Sequence, residues 1–304
     1  MIEPSYQRWG SSVTRYQGID EFFATDSLEL GVHSIAIDQS IVDFYLRPKV
    51  SGTLLVVFGG AAQRSTENLP PFFSGLGIAE GIDCTVVAFN DPSYYLAPDI
   101  NIAWYAGNLH LALQDILPRI IERIKATTGA SRVIMAGGSA GGFASLFYAT
   151  KVPALAVVFN PQTNIARYNP EHTQRFAQVC FGWQGGNLED AFEGIVFDLA
   201  EHFSQYRPPV VYMQNVSDWH VKPHTVPFIG NYGLEWTGKS QLADGLYLHV
   251  GDWGRGHIPP PREYTARVLK ELSTVPGSWD EAVANAGNIL AHEDAPKMNT
   301  ISSS

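Results

Sequence analysis

Cysteine is scarce in this chain, and positive charge is in short supply. Cys84 and Cys180 are its only two cysteines. That is too few for a disulfide scaffold or a cysteine-built zinc site. Lys and Arg number 20 against 30 Asp and Glu, a formal net charge of -10. Such a balance argues against a nucleic-acid partner or an anionic membrane surface. No apolar run approaches the length that spans a bilayer. The start, Met1-Ile2-Glu3-Pro4-Ser5-Tyr6, has neither the basic residues nor the apolar stretch of a secretory signal, so the expected location is cytoplasmic. Internal repeats and low-complexity linkers are missing too. What remains is a globular composition, 45% hydrophobic and 12% aromatic, which can fill a sizeable core.

Short apolar runs mark the strands. His33–Asp38 and Val42–Pro48 read as a hairpin around Asp38-Gln39-Ser40. Thr53–Phe58, Cys84–Phe89 and Ala154–Phe159 read as buried strands, and Val133–Met135, Val210–Gln214 and Leu246–Val250 as further strands. Helical spacing follows Leu109 through Ile124, with Gly129 just past the end and Pro118 inside, which predicts a kink or a late start. Pro70-Pro71 predicts a helix running to about Gly81, and Pro261–Leu272 a closing helix. The pattern predicts an α/β fold: a mostly parallel central sheet with helices on both faces. Residues 162–207 interrupt the alternation after the sixth strand and predict a helical insertion that covers the site. Residues 1–276 are expected to form one domain. A short helix, Trp279–Leu290, and a disordered tail are expected over 277–304.

The chain is organised around Arg132–Tyr148, RVIMAGGSAGGFASLFY. An apolar strand enters it, a small-residue turn sits at its centre, and a helix-compatible run leaves it. Gly137-Gly138-Ser139-Ala140-Gly141 fits the G-x-S-x-G nucleophile elbow, in which a serine stands at the tip of a strand-to-helix turn. A dinucleotide loop would need glycine where Ser139 stands, and a P-loop would need lysine where Phe143 stands.

Sites in such sheets lie at the carboxyl ends of the strands. Serine acyl transfer needs a base, a carboxylate to orient it, and N–H donors for the oxyanion. His257 follows the last strand, and Asp218 follows the strand before it. Asp252 competes as the acid, but it follows the same strand as His257. His249 lies inside that strand and reads as structural. The N–H of Ala140 and those of Gly60 or Ala61, after the third strand, are the candidate oxyanion donors. Arg64, Tyr94, Trp104 and His220 are weaker candidates for substrate contact. His220 and His224 stand four apart, yet Pro223 breaks the helix a metal site would use and no HExxH glutamate is present, so no metal is expected.

The order Ser139, Asp218, His257 resembles that of the α/β-hydrolase superfamily, over about residues 33–273 by element order. The resemblance implies acyl-enzyme chemistry on a small-molecule or glycan ester, with no cofactor. Val211–Asp218 with the downstream His220 and His224 looks like a bacterial branch associated with surface glycans, which includes accessory secretion proteins and capsule O-acetyltransferases. The oxyanion loop, Phe58–Arg64 (FGGAAQR), departs from the HGGG form of lipases. The expected function is ester hydrolysis through acyl-Ser139. The alternatives are O-acyl transfer to a glycan hydroxyl and a non-catalytic binding module.

Overall fold

A computed structural model describes residues 2–10, 12–65 and 67–291. The core is a ten-stranded sheet in the order β1-β2-β3-β5-β4-β6-β7-β8-β10-β9. Its strands are β1 (Val13–Tyr16), β2 (Gly31–Ile37), β3 (Ser40–Arg47), β4 (Thr53–Phe58), β5 (Thr85–Phe89), β6 (Arg132–Gly138), β7 (Leu155–Phe159), β8 (Val210–Asn215), β9 (Gln241–Ala243) and β10 (Leu246–Gly251). From β5 to β10 across the centre all neighbours are parallel. The β2–β3 hairpin and the β10–β9 pair add antiparallel edges. The sixth strand expected from sequence is β7, because the short β1 carries no periodic signal.

Every residue of β4, β5 and β8 is buried. This is why β4 and β5 are nearly continuous apolar runs rather than alternating ones, and why β8 stays apolar until Gln214 and Asn215 at its end. Helices cover both faces. On one face lie α2 (Leu113–Thr128) and α3 (Ala140–Ala149), with the insertion's α4 (Pro170–Phe181) and α5 (Leu199–His202). The opposite face carries α7 (Arg262–Thr274) and α8 (Trp279–Leu290). The remaining helices are α1 (Ile19–Ala24) and α6 (Thr225–Gly230). Leu113, Leu117, Ile120, Ile121 and Ile124 of α2 are all buried, and Gly129 caps its end at φ 71°. The helix starts late, at Leu113, while Leu109 stays exposed. No helix among the described residues is long and apolar enough to cross a membrane. The expected tail falls outside the described residues beyond 291.

One expectation fails. Residues 70–81 form no α-helix but a run of turns. Gly75 adopts φ +89°, and a Cβ there would strike Val57. A left-handed residue pressed against the sheet cannot continue a right-handed helix, so the hydrogen bonds that Ile78 and Ala79 donate to the Gly75 carbonyl remain isolated turns. The segment therefore lies on the α7 face of the sheet as an irregular strap.

After β4 the chain makes β5 on one side, then crosses to β6 on the other. The carboxyl ends of β4 and β6 thus flank the point where the winding reverses, where such sheets open a crevice.

Candidate active site

Ser139 stands at that crevice, between β6 and α3. Its backbone sits at φ 55° and ψ -121°, a conformation that costs about 1–3 kcal/mol in a residue with a Cβ. Hydrogen bonds on both sides hold it there. Its N–H donates to the Phe159 carbonyl at 3.2 Å, and its carbonyl accepts from Phe143 and Gln162. The glycines around it are steric requirements. A Cβ on Gly141 would run into the Phe58 carbonyl, so only glycine lets α3 pass β4 so closely.

The Ser139 hydroxyl accepts a hydrogen bond from Gln162 Nε2 at 2.9 Å. The Trp104 indole N–H in turn donates to Gln162 Oε1. Trp104 is therefore buried behind the serine and orients the amide that touches it. Ser139, His257, Gly59, Gly60, Phe159 and Asn160 share one cavity of about 260 Å³.

His257 Nδ1 lies 2.7 Å from Asp218 Oδ2. The Asp218 side chain is fully buried and that of His257 is 34% exposed. An ionised carboxylate only accepts, so the shared proton belongs on Nδ1 and the lone pair of His257 on Nε2. The other carboxylate oxygen, Oδ1, accepts the His220 backbone N–H at 3.0 Å and caps a 3₁₀ turn over Trp219–Val221. Asp252 is exposed and, among the described residues, makes only a long contact to the Gly254 N–H, at 3.4 Å. Of the two aspartates, Asp218 is the one bonded to His257.

A set of amides fixes the His257 loop. Asn215 Nδ2 donates to the carbonyls of Gly254 and Gly256, each at 2.7 Å. Ser217 Oγ donates to Gly254 as well. Asn160 Nδ2 donates to the Ile258 carbonyl at 2.8 Å, while its Oδ1 accepts from the Asn215 N–H at 2.7 Å. Asn160 and Asn215 end β7 and β8 and are buried.

His220 lies directly beneath His257, with ring centroids 4.0 Å apart, and its Nδ1 donates to the Asn160 carbonyl at 3.2 Å. His224 packs edge-on against it, and its Nδ1 accepts from the Thr163 N–H. Burial, reinforced by His257, lowers the His220 pKa to about 4. Burial, with His220 next to it, lowers that of His224 to about 2. Both are neutral at pH 7. Asp218, His220 and His257 bring ligand-type atoms within 4.8 Å of one another. The 2.7 Å contact between carboxylate and imidazole is nonetheless a hydrogen bond with no space for an ion between them.

Of the N–H groups after β4, Gly59 donates to Tyr105 Oη and Ala62 to the Asn101 carbonyl. No hydrogen bond among the described residues uses those of Gly60 or Ala61. A Cβ on Gly60 would sit 3.6 Å from that of Ser139, so this loop passes right beside the hydroxyl-bearing carbon. Arg64 and Tyr94 are placed behind the loop, off the cavity lining. Arg64 donates to the carbonyls of Tyr94, Ala97 and Ile100, and the Tyr94 hydroxyl to the Gly60 carbonyl. Asp91 accepts from the N–H groups of Ser93 and Tyr105, anchoring both ends of the aromatic loop. His249 pairs with the Tyr264 hydroxyl, a structural contact. The insertion packs beside Trp104, with Phe176 5.2 Å from its ring, and contributes no residue to the cavity lining.

No family model matches the sequence, and no curated protein does. Solved structures do match. The capsule O-acetyltransferase of Neisseria meningitidis serogroup A superposes with a TM-score of 0.59 at 13% identity, over 83% of this chain and 97% of its own. An acylaminoacyl peptidase of Pyrococcus horikoshii gives 0.56 at 13%, over 90% of this chain and 46% of that one. The glycosylation-associated Gap123 complex of Streptococcus agalactiae gives 0.50 at 14%, over 74% and 42%. At such identities the likeness establishes architecture, and with the topology above it gives one conclusion: this chain has the α/β-hydrolase fold.

Proposed function

We propose that the protein transfers an acyl group through a covalent acyl-Ser139 intermediate, delivering it to a hydroxyl acceptor. The observation that carries this reading is the His257–Asp218 hydrogen bond on the wall of the cavity that Ser139 also lines. Ser139 Oγ attacks the carbonyl of an activated ester or thioester, and its proton passes to His257 Nε2. Asp218 stays ionised and stabilises the imidazolium. The N–H groups of Ala140 and of Gly60 or Ala61 receive the negative oxygen. His257 returns the proton to the leaving alcohol or thiol. It then takes one from the acceptor hydroxyl as that oxygen attacks the acyl-serine, and gives it to Ser139 Oγ as the acyl–Oγ bond breaks. Throughout, Gln162 holds Oγ until substrate turns it towards His257.

A carbohydrate hydroxyl is the acceptor that the likeness to the capsule O-acetyltransferase supports. Water is the second reading, favoured by the 34% exposure of His257. A fluorophosphonate probe is expected to label the wild type and to leave Ser139→Ala unlabelled. Acyl transfer is expected to fall about 10⁵–10⁶-fold in that variant. Absence of labelling in the wild type would leave only a binding role. Product analysis with and without an oligosaccharide separates the two acceptors. Free acid alone in both reactions favours water.

A further inference from the structure

The cavity beside Ser139 does not stay at the mouth of the crevice. It continues down the α7 face of the sheet, along the strap that replaces the expected helix over 70–81. Val57 of β4 and Ala136 of β6 form its floor, Leu269 of α7 its far wall, and Ile78 of the strap its side. Val57, Ala136 and Leu269 are buried core residues, and Ile78 is half-buried. No Asp, Glu, Lys or Arg lines this space, and its hydroxyl and amide groups belong to Ser74, Ser139 and Asn160. A sugar ring would leave its hydroxyls without partners there. An alkyl chain would leave nothing unmatched.

Size narrows the occupant further. The volume of about 260 Å³ far exceeds the need of a two-carbon acyl group, when one liquid water takes about 30 Å³. The strap creates the space. Gly75 is pressed directly onto Val57, and the turns around it project no helical row of side chains onto β4 and β6.

We propose that this cavity is the acyl-chain site, and that the transferred group is a linear alkyl chain of medium length, about six to eight carbons, rather than acetyl. The inference rests on the acyl-Ser139 reading above. The carbonyl carbon sits at Ser139 Oγ, the chain runs down between β4, β6 and α7, and the alcohol faces out past His257.

The test uses the full chain and p-nitrophenyl esters from acetate to decanoate, with fluorophosphonate labelling of Ser139 run in parallel. Each buried methylene should raise kcat/KM about fourfold. Hexanoate, with four more methylenes, is therefore expected to exceed acetate by about two hundredfold, with a fall once the chain outgrows the cavity. Ile78→Phe and Leu269→Phe each shorten the space and should move the optimum to shorter esters. The wild-type profile stands even if one variant does not fold. Labelling of Ser139 with a flat profile, or one highest at acetate, overturns the chain site and leaves acyl transfer intact. A rising profile that neither folded variant shifts also overturns it, because the chain then lies elsewhere. Neither labelling nor turnover of any ester overturns the acyl-Ser139 reading and this inference with it.

Discussion

The two flanks of Ser139 differ in kind. On the β7–β8 side, Asp218, His220, His224, Asn160 and Gln162 are all buried, and each is tied by a hydrogen bond to a backbone or side-chain partner. On the strap side, Val57, Ala136 and Leu269 line open space and offer no polar atom beyond the backbone. One flank is suited to moving protons, and there geometry must be fixed to fractions of an ångström. The other is suited to holding a greasy group, for which volume matters more than direction. Substitutions on the first flank should alter rate without altering chain preference, and those on the second the reverse.

The largest way to break this division is Asp218→Asn. The change keeps the side chain's size and removes the acceptor that fixes His257, so activity at pH 7 should drop about 10³–10⁴-fold. The ester-length optimum should stay where it was. A shifted optimum would mean that the two flanks are not separable.

Of the two flanks, acid should act on the polar one. His220 and His224 are held neutral in the fold, with pKa values lowered to about 4 and about 2. In the unfolded chain each titrates near 6.5. As pH falls below 6.5 the unfolded state takes up protons that the folded state refuses, so stability present above 6.5 is progressively lost. The loss from His220 levels off below about 4. While both refuse a proton, the slope approaches about 2–3 kcal/mol per pH unit. Urea midpoints measured between pH 7 and 4.5 check this. A His224→Gln variant should show a slope lower by about 1.4 kcal/mol per pH unit, and an unchanged slope would assign the acid sensitivity elsewhere.

Asp252→Asn is expected to have the smallest effect, with kcat/KM within about twofold of wild type. Asp252 is exposed and its contact with Gly254 is long. A loss larger than that of Asp218→Asn would reverse the assignment of the acid.

Much of this frame was legible in the sequence. The buried strands announce themselves as apolar runs, and the elbow's spacing follows from a steric need that any such turn shares. His257 follows β10 and Asp218 follows β8, its parallel neighbour in the sheet, so strand order brings both to the same carboxyl edge. The amides were not legible. Asn160, Gln162 and Asn215 close or follow strands, which is the only local cue they carry. Their partners lie 23 to 98 residues away in the chain, at Ser139 and Ile258 among others. Pro70-Pro71 resembles a helix start, so the sequence predicts a helix where the strap lies. The left-handed Gly75 that prevents a helix there has its reason in Val57, on another element. Edge strands β1 and β9 are too short to show a period. Arg64, Tyr94 and Trp104 are residue types that suit a ligand or a scaffold equally well, and the fold uses their polar atoms to brace neighbouring loops.

The clamp on the His257 loop bears on how this fold can be recombined. The donors that grip Gly254, Gly256 and Ile258 sit on Asn215, Ser217 and Asn160, outside the loop they hold. A graft of residues 252–258 into another scaffold would carry the acceptors and leave the donors behind. The histidine is not a portable module: positions 160, 215 and 217 must travel with it, or its bearing on Asp218 is lost in the transfer.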